Sequence, residues 1–341
     1  MKALQKIFAL SLVALAASAL AQDKDKPIVL RVADSFPSTH YIVDYATKFW
    51  MDSVTKATGG AVTFEYYPAE QLGKAKDFLA LTQSGVTDIA YVAPSFVSDK
   101  MPLTAVAELP GGFTGACEGS AAFWKLAKDG VLADKEFAPN GVRPIFVVVL
   151  PQYQVFTKTK LESVKNLEGM KLYTAGGAKE LSVRKLKAVP IKMATPEVYE
   201  SLSRGTIDGV LFPYASLFPY NVDKLVKYGT VGESLGSFAA TYVINEAKYK
   251  RLPASVQKAM SDASEATVKR ACALIDRDLE SQMQRAKQGG ITLVQFPATE
   301  RKEIDTAMAT ISKEWAESLD KRGKPGSEVL KAFQDALKAG R

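Results

Sequence analysis

The segment from Asn166 to Pro213 constrains the fold of this chain more than any other stretch. Its pattern predicts a strand from Met170 to Thr174, two helices, and a second strand from Ile207 to Leu211. Gly176-Gly177 lies where the first strand turns into a helix. Thr195-Pro196-Glu197 supplies a capping residue, a proline at the first helical position and a first-turn acid. The segment is therefore predicted to form a βαβ unit.

Ligands of such units collect at the carboxyl ends of the strands. These ends carry Tyr173 and Thr174 after the first strand and Phe212 after the second. Aromatic residues are ordinarily core residues, but a shared place at strand ends favours pocket walls for Tyr173 and Phe212. We expect all three residues to line a ligand-binding site.

Other stretches predict a two-domain α/β protein. Residues 28–93 read as an opening βαβαβ fold, and the apolar strand Pro144 to Leu150 looks covered on both faces. Residues 151–154 interrupt it, which predicts a crossing between domains. From Pro253 to Gln288 no residue breaks a helix of about 50 Å, so this helix should span both lobes. The predicted division is 22–150 plus 237–277 for lobe I and 151–236 plus 278–341 for lobe II.

Two connecting stretches carry weaker patterns. Residues 97–115 are rich in Pro and Gly and are predicted to be loop. A helical connection is expected from about residue 214 until the strand from Ser237 to Asn245.

The amino terminus has the pattern of a secretory leader. Lys2 and Lys6 precede an apolar run from Ile7 to Leu20, closed by Ala19-Leu20-Ala21. This predicts a cleaved signal peptide over residues 1–21, because the run is too short to span a bilayer. No cysteine follows the cleavage site for a lipid anchor, so we expect a soluble, periplasmic protein.

The composition offers little for catalysis or metal binding. The chain has one histidine and two distant cysteines, so no metal site, cofactor or catalytic residue is predicted. Phosphate-cradling glycine-rich motifs are absent from the sequence. Asp276, Asp278 and Glu280 lie on the long helix, where a solvated face is the expected role. The prediction is a protein that is not an enzyme.

Charge and cysteine content restrict partners and redox state less sharply. Removing Lys2 and Lys6 with the leader lowers the formal net charge from +7 to +5. Basic residues alternate with acids along the chain, so no nucleic-acid partner is expected. Cys117 and Cys272 could form a disulfide in an oxidising compartment or stay as two buried thiols, and the sequence leaves both possibilities open.

The predicted first lobe and the crossing supply further candidate site residues. Phe36 and His40 follow the first strand, where strand-end loops carry ligand contacts. His40 could bind a ligand or simply begin a helix. Tyr91 in the third strand and Tyr214 after Pro213 could line the pocket, but the pattern favours a core role for both. Tyr153 and Gln154 lie at the crossing, where Gln154 could hold a polar ligand group.

Several motifs together resemble the DctP-like solute receptors of TRAP (tripartite ATP-independent periplasmic) transporters. They are the GMKL strand, the segment PIKMATPEVYESLSRGTIDG and the strand that ends in Pro213, with LRVADSFP at 30–37, TGGAVTFEYYPAEQLGKAKD at 58–77 and SGVTDIAYVAPS at 84–95. The resemblance implies a two-domain periplasmic binding protein of the Venus-flytrap type, braced by the long helix. It also implies a small and a large integral membrane subunit as partners, driven by an ion gradient. We expect a monomer.

The sequence departs from the family at the residue that usually binds the substrate carboxylate. Members typically carry an arginine where Lys171-Leu172-Tyr173 places a tyrosine, and a second frequent arginine aligns with Gln154. A buried carboxylate without its cation costs about 2 to 5 kcal/mol. We therefore expect an aromatic or otherwise hydrophobic organic acid, or a related neutral compound, and not a C4-dicarboxylate. If small diacids bind, either the alignment of Tyr173 with the arginine position is wrong or a lysine such as Lys74 or Lys192 has taken over its charge.

Two alternatives stay open on the sequence. One is a periplasmic receptor that delivers its ligand to a sensor or an ABC permease. The other is an extracytoplasmic enzyme of the same architecture.

Overall fold

The structure is a computed structural model that describes residues 27–340. The predicted signal peptide, residues 1–21, lies outside the described residues.

In the described chain, the first sheet is mixed and has the strand order β2-β1-β3-β10-β4. β1 is parallel to β2 and β3, whereas β10 is antiparallel to β3 and β4. The opening βαβαβ prediction is confirmed. The strands are β1 (Ile28–Ala33), β2 (Val62–Tyr67), β3 (Ile89–Val92), β4 (Val142–Val149) and β10 (Ala239–Asn245).

The second sheet of the described residues has the order β11-β9-β5-β8-β6-β7. β6 runs parallel to β7 and β8, and β5 runs antiparallel to β8 and β9. The two predicted strands of the βαβ unit are β6 and β8. The strands are β5 (Gln154–Thr157), β6 (Lys171–Thr174), β7 (Val189–Lys192), β8 (Gly209–Phe212), β9 (Tyr228–Thr230) and β11 (Thr292–Val294).

Three predictions on local structure were wrong. The βαβ unit contains an additional strand, β7, whose Pro190 is tolerated because β7 lies at the edge of its sheet. The connection expected to be helical contains no α-helix among the described residues, only two short 3₁₀ helices, Tyr214–Ser216 and Val222–Lys224, and the strand β9; Asn221, with a left-handed φ of 55°, interrupts the helical path between the two. The stretch predicted to be loop includes a buried 3₁₀ helix, Leu103–Glu108.

The long helix spans both sheets as predicted. The α-helices in residues 27–340 are α1 (Lys48–Ala57), α2 (Phe78–Gln83), α3 (Ala116–Asp129), α4 (Ala178–Lys185), α5 (Val198–Ser203), α6 (Glu246–Arg251), α7 (Ala254–Gln288), α8 (Ala298–Asp320) and α9 (Gly326–Ala339). α7 packs on α1, α3 and β4 beside the first sheet. Near its end, Arg285 lies 3.9 Å from the ring centroid of Phe218, which belongs to the chain after β8. No helix within residues 27–340 is both long and apolar enough to cross a bilayer.

Three connections carry the chain between the sheets, and the last, from β10 to β11, contains α7. The other two run from β4 to β5 and from β9 to β10. They run side by side: the backbone N–H of Tyr153 donates to the Gly236 carbonyl at 2.7 Å, and that of Leu150 to the Phe238 carbonyl at 2.9 Å. The crossing predicted at residues 151–154 is thereby confirmed. The limits of the two lobes stay a prediction. The division assigns α9 to lobe II, but α9 packs against α3, which lies on β4 of the first sheet.

The two cysteines form a disulfide that joins α3 to α7. One turn beyond Cys272, the Asp276 carboxylate accepts the backbone N–H groups of Ala116 at 2.6 Å and Cys117 at 2.9 Å. Asp276 thus caps α3, and Asp278 accepts the Tyr45 hydroxyl at 2.5 Å. The solvated role expected for these two acids was wrong, because they face the helices that α7 braces.

We expect the double variant C117A/C272A to lose about 2 to 5 kcal/mol of unfolding free energy, since the disulfide joins positions far apart in the chain and restricts the unfolded state. Urea titrations of the oxidised wild type and the variant measure this loss. Asp276→Asn, which keeps the disulfide, serves as a control for changes local to α3. Equal unfolding midpoints for wild type and double variant would contradict the prediction.

Candidate functional site

A continuous chain of aromatic rings connects the two sheets at the carboxyl ends of their strands. Phe36, after β1, stacks on His40 at 4.3 Å and meets Tyr91 of β3 at 4.6 Å between ring centroids. His40 contacts Tyr220 at 5.6 Å, and Tyr220 contacts Phe212 at 6.1 Å. We call the region between the two sheets around these rings the cleft.

The turn after β1 is shaped by a buried carboxylate. Asp34 accepts the backbone N–H of Phe36 at 2.9 Å and the hydroxyls of Tyr66 at 3.0 Å and Tyr242 at 2.6 Å. Burial raises the pKa of Asp34 to about 6, even though these donors act against the rise. Asp34 therefore positions Phe36 and has its own hydrogen bonds within the first sheet.

His40 is a neutral hydrogen-bond donor. The backbone N–H of Ile42 donates to Nδ1 at 3.2 Å, so the ring proton lies on Nε2. Nε2 is buried and has no partner in residues 27–340. Burial lowers the His40 pKa to about 3, which keeps the ring uncharged. The Nε2–H group is thus free to donate to a ligand.

Tyrosine hydroxyls add more neutral donors. In the described chain, those of Tyr91, Tyr153 and Tyr220 make no hydrogen bond to protein. Burial raises the pKa of all three well above the ordinary value, and nearby tyrosines add to the shift. The hydroxyls therefore remain protonated. Tyr220 was not among the predicted site residues, because it follows β8 in a connection that was expected to be helical.

The residues predicted on the second sheet have different roles. Tyr173 meets Phe212 edge to face at 5.3 Å, and its hydroxyl shares a 2.9 Å hydrogen bond with Thr195. Thr174 accepts the backbone N–H of Gly176 at 3.1 Å, which shapes the turn into α4. Gln154 donates to the Glu233 carbonyl at 2.7 Å and accepts from Thr230 at 2.9 Å. These bonds of Gln154 tie β5 to the chain after β9.

A buried ion pair lies beside the cleft. Lys179, in the first turn of α4, and Glu108, at the end of the 3₁₀ helix, are both fully buried, with Nζ and Oε2 2.8 Å apart. The ammonium also donates to Ser95 Oγ at 3.1 Å and the Ser237 carbonyl at 2.9 Å. Its three protons are thereby all used.

The hydrogen-bonding capacity of the Glu108 carboxylate is also filled. Its carboxylate also accepts the Ser95 hydroxyl and, at 3.3 Å, the backbone N–H of Ala239. Burial lowers the pKa of Lys179, although Glu108 acts in the opposite direction. Sequence patterns missed this pair, because Ala-Lys-Glu-Leu-Ser is typical of an exposed helix. No group of three or more acidic, His or Cys side chains in residues 27–340 could hold a metal ion.

The profile of bacterial extracellular solute-binding proteins of family 7, the DctP family, matches residues 32–318. The chain belongs to this family. A member from Rhodobacter capsulatus, the C4-dicarboxylate-binding periplasmic protein DctP, is 27% identical over 298 residues, which span 82% of this chain and 83% of the relative.

Solved structures share the fold. A TRAP solute-binding protein from Rhodoferax ferrireducens, in complex with copurified benzoate, matches with a TM-score of 0.84 at 24% identity, covering 92% of this chain and 98% of that protein. A marine metagenome TRAP protein specific for aromatic acid ligands, in complex with 3-hydroxybenzoate, matches with a TM-score of 0.85 at 24% identity, covering 92% and 99%. The predicted family and the two-lobed α/β fold are confirmed.

We expect Lys179→Met to lower the unfolding free energy by about 3 to 5 kcal/mol, because it leaves the buried Glu108 carboxylate without its cation. K179M/E108Q should recover a large part of that loss, since no buried charge remains. Lys185→Met is the control. Lys185 lies in the same helix as Lys179 and forms an exposed ion pair with Glu314 of α8 at 2.6 Å, so its loss should cost about 1 kcal/mol or less. Urea titration measures all three; equal losses for the two single variants would refute the prediction.

The His40 shift predicts a pH dependence of stability. Its folded pKa of about 3 lies below the ordinary 6.5, so unfolding takes up a proton and stability falls as pH drops below 6.5. Between pH 7 and pH 5, wild type should lose about 2 kcal/mol more than His40→Phe. Urea titrations of ligand-free protein at both pH values test this, and His40 is the sole histidine of the sequence. Identical pH dependence in both proteins would disprove it.

Proposed function

We propose that the protein captures an aromatic or otherwise apolar small organic acid between its two lobes and delivers it to TRAP membrane subunits. The observation that carries the proposal is the ring-lined cleft, to which both sheets contribute. Flat apolar ligands gain from stacking and edge contacts with such rings. The benzoate and 3-hydroxybenzoate held by two structural neighbours agree with this ligand class.

The charges near the cleft argue against a small diacid. The Rhodobacter relative is named for C4-dicarboxylates, whose two carboxylates need cationic partners. Tyr173 occupies the position aligned with the family's arginine, and the ammonium of Lys179 is saturated by Glu108, Ser95 and Ser237. A ligand with one acidic group and an apolar body fits these surroundings better.

The ligand-contacting residues in this proposal come from both lobes. Phe36, His40 and Tyr91 supply contacts from the first sheet, and Tyr153 from the crossing. Tyr173, Phe212 and Tyr220 act from the second. Thr174 shapes the turn into α4, and Gln154 supports β5, so neither is assigned a direct ligand contact. The lobes follow the predicted division except for α9, which packs against α3 of lobe I, and the paired connections near residues 150 and 236 act as the hinge.

The cellular setting completes the proposal. Residues 1–21 direct export and are removed, and the mature protein acts in the periplasm as a monomer without catalysis. Its liganded form is recognised by a small and a large integral membrane subunit. Family membership supports this assignment over delivery to a sensor or an ABC permease.

We expect a thermal-shift screen to give stabilisation by benzoate and related aromatic monocarboxylates, and none by succinate or malate. The protein is unfolded and refolded first to remove any copurified ligand. At a hundred times the dissociation constant, a ligand adds about 2.7 kcal/mol, which is readily detected. Stabilisation confined to the diacids would refute the proposed ligand class.

The variant Tyr173→Arg tests the proposed role of Tyr173 in ligand binding. The new cation should weaken benzoate binding, because it removes the ring that packs on Phe212 and inserts a charge where none is paired. Tyr173→Phe keeps the ring and is the matched control. Tighter benzoate binding by the arginine variant would contradict the proposed role of Tyr173.

A further inference from the structure

Lys192 occupies the seam between the two sheets, close to the position where the family's arginine is missing. It ends β7 and is paired in register with Thr174, the residue after Tyr173. The stretch that follows is held against β6, because Met193 donates its backbone N–H to the Thr174 carbonyl at 3.4 Å. The Tyr173 hydroxyl holds Thr195 in the same stretch.

The stem of this lysine crosses a glycine that faces the opposite lobe. A Cβ on Gly176 would lie 2.8 Å from Lys192 Cε, 3.0 Å from Lys192 Cδ and 3.2 Å from the Ser95 carbonyl oxygen. Gly176 also has a φ of 99°, which disfavours other residues. The absence of a side chain at Gly176 therefore leaves room for the lysine stem between β6 and the loop after β3.

The Lys192 ammonium has its hydrogen-bonding capacity free. It has no hydrogen bond or ion pair with any residue in 27–340, and the side chain is exposed. Two other lysines considered as carboxylate partners are engaged: Lys179 by three acceptors, and Lys74 by Glu70 at 3.0 Å. An unpaired cation at the seam is a candidate partner for an anion that enters between the lobes.

We propose that Lys192 binds the ligand carboxylate at the rim of the cleft, while the aromatic body of the ligand points inward to Phe212, Tyr220 and His40. This inference rests on the proposed function and specifies how the acid is held. The ligand class is a monocarboxylate with its acidic group at one end of a flat apolar body. A lysine is a single point charge on a flexible stem, so it does not reproduce the two-pronged contact of an arginine.

The test compares two probes of matched shape, benzoate and the uncharged benzamide, by isothermal titration calorimetry on refolded protein. Lys192→Met should weaken benzoate binding about tenfold, the size of one charge-assisted hydrogen bond, and change benzamide binding less than twofold. Lys192→Arg should retain benzoate binding within about threefold of wild type. Lys171→Met, at the opposite end of β6, is the control and should leave both affinities unchanged.

Salt gives a second readout. Raising ionic strength should weaken benzoate binding to wild type more than to Lys192→Met, because an exposed ion pair is screened. Unchanged benzoate affinity in Lys192→Met, or an equal loss for benzoate and benzamide, overturns the role of Lys192 and leaves the receptor assignment intact. Failure of wild type to bind either probe or any other aromatic acid overturns the proposed ligand class itself.

Discussion

The ion pair between Lys179 and Glu108 is the interaction on which the arrangement of the two sheets depends. Two fully buried charges are stable only when each is paired and its remaining hydrogen-bonding capacity is filled. Here Ser95, the Ser237 carbonyl and the Ala239 N–H complete the set, so the pair fixes α4 against the 3₁₀ helix and the connection before β10. Separating α4 from the 3₁₀ helix at this point would leave a buried charge unpaired.

The same pair decides the polarity of the cleft. Because its two charges cancel and its donors are consumed, the groups left for a ligand are neutral: the His40 Nε2–H and the hydroxyls of Tyr91, Tyr153 and Tyr220. Neutral donors in a ring-lined space favour a ligand that is mostly apolar and has few acceptors. Asp34 does not alter this, since it is satisfied within the first sheet by Phe36, Tyr66 and Tyr242.

Sequence patterns predicted the elements that have a local signal in the chain and missed those that depend on distant contacts. The apolar runs of β1, β4 and β10 and the unbroken α7 are local signals, so these elements were found near their true limits. β7 and β9 are short, and their pairing is set by neighbours far along the chain. The positions of Phe36, His40 and Phe212 at or just after strand ends were predictable because strand ends are recognisable. Lys179 and Tyr220 were not, since burial of a lysine or the path of a connection has no local signature.

The buried ion pair and the ring packing explain why a cation for the ligand lies at Lys192 and not at position 173. An arginine at position 173 could not use Glu108 as its partner, since that acid already pairs with Lys179, and the desolvation of the arginine would need a ligand anion to offset it. Tyr173 avoids that cost by packing on Phe212 and bonding Thr195. A cation at the exposed seam loses little hydration when the cleft is empty, so the chain can keep Lys192 unpaired there at small cost. Affinity for the apolar body and attraction for the acid are thereby assigned to different residues, one set buried and the other at the rim.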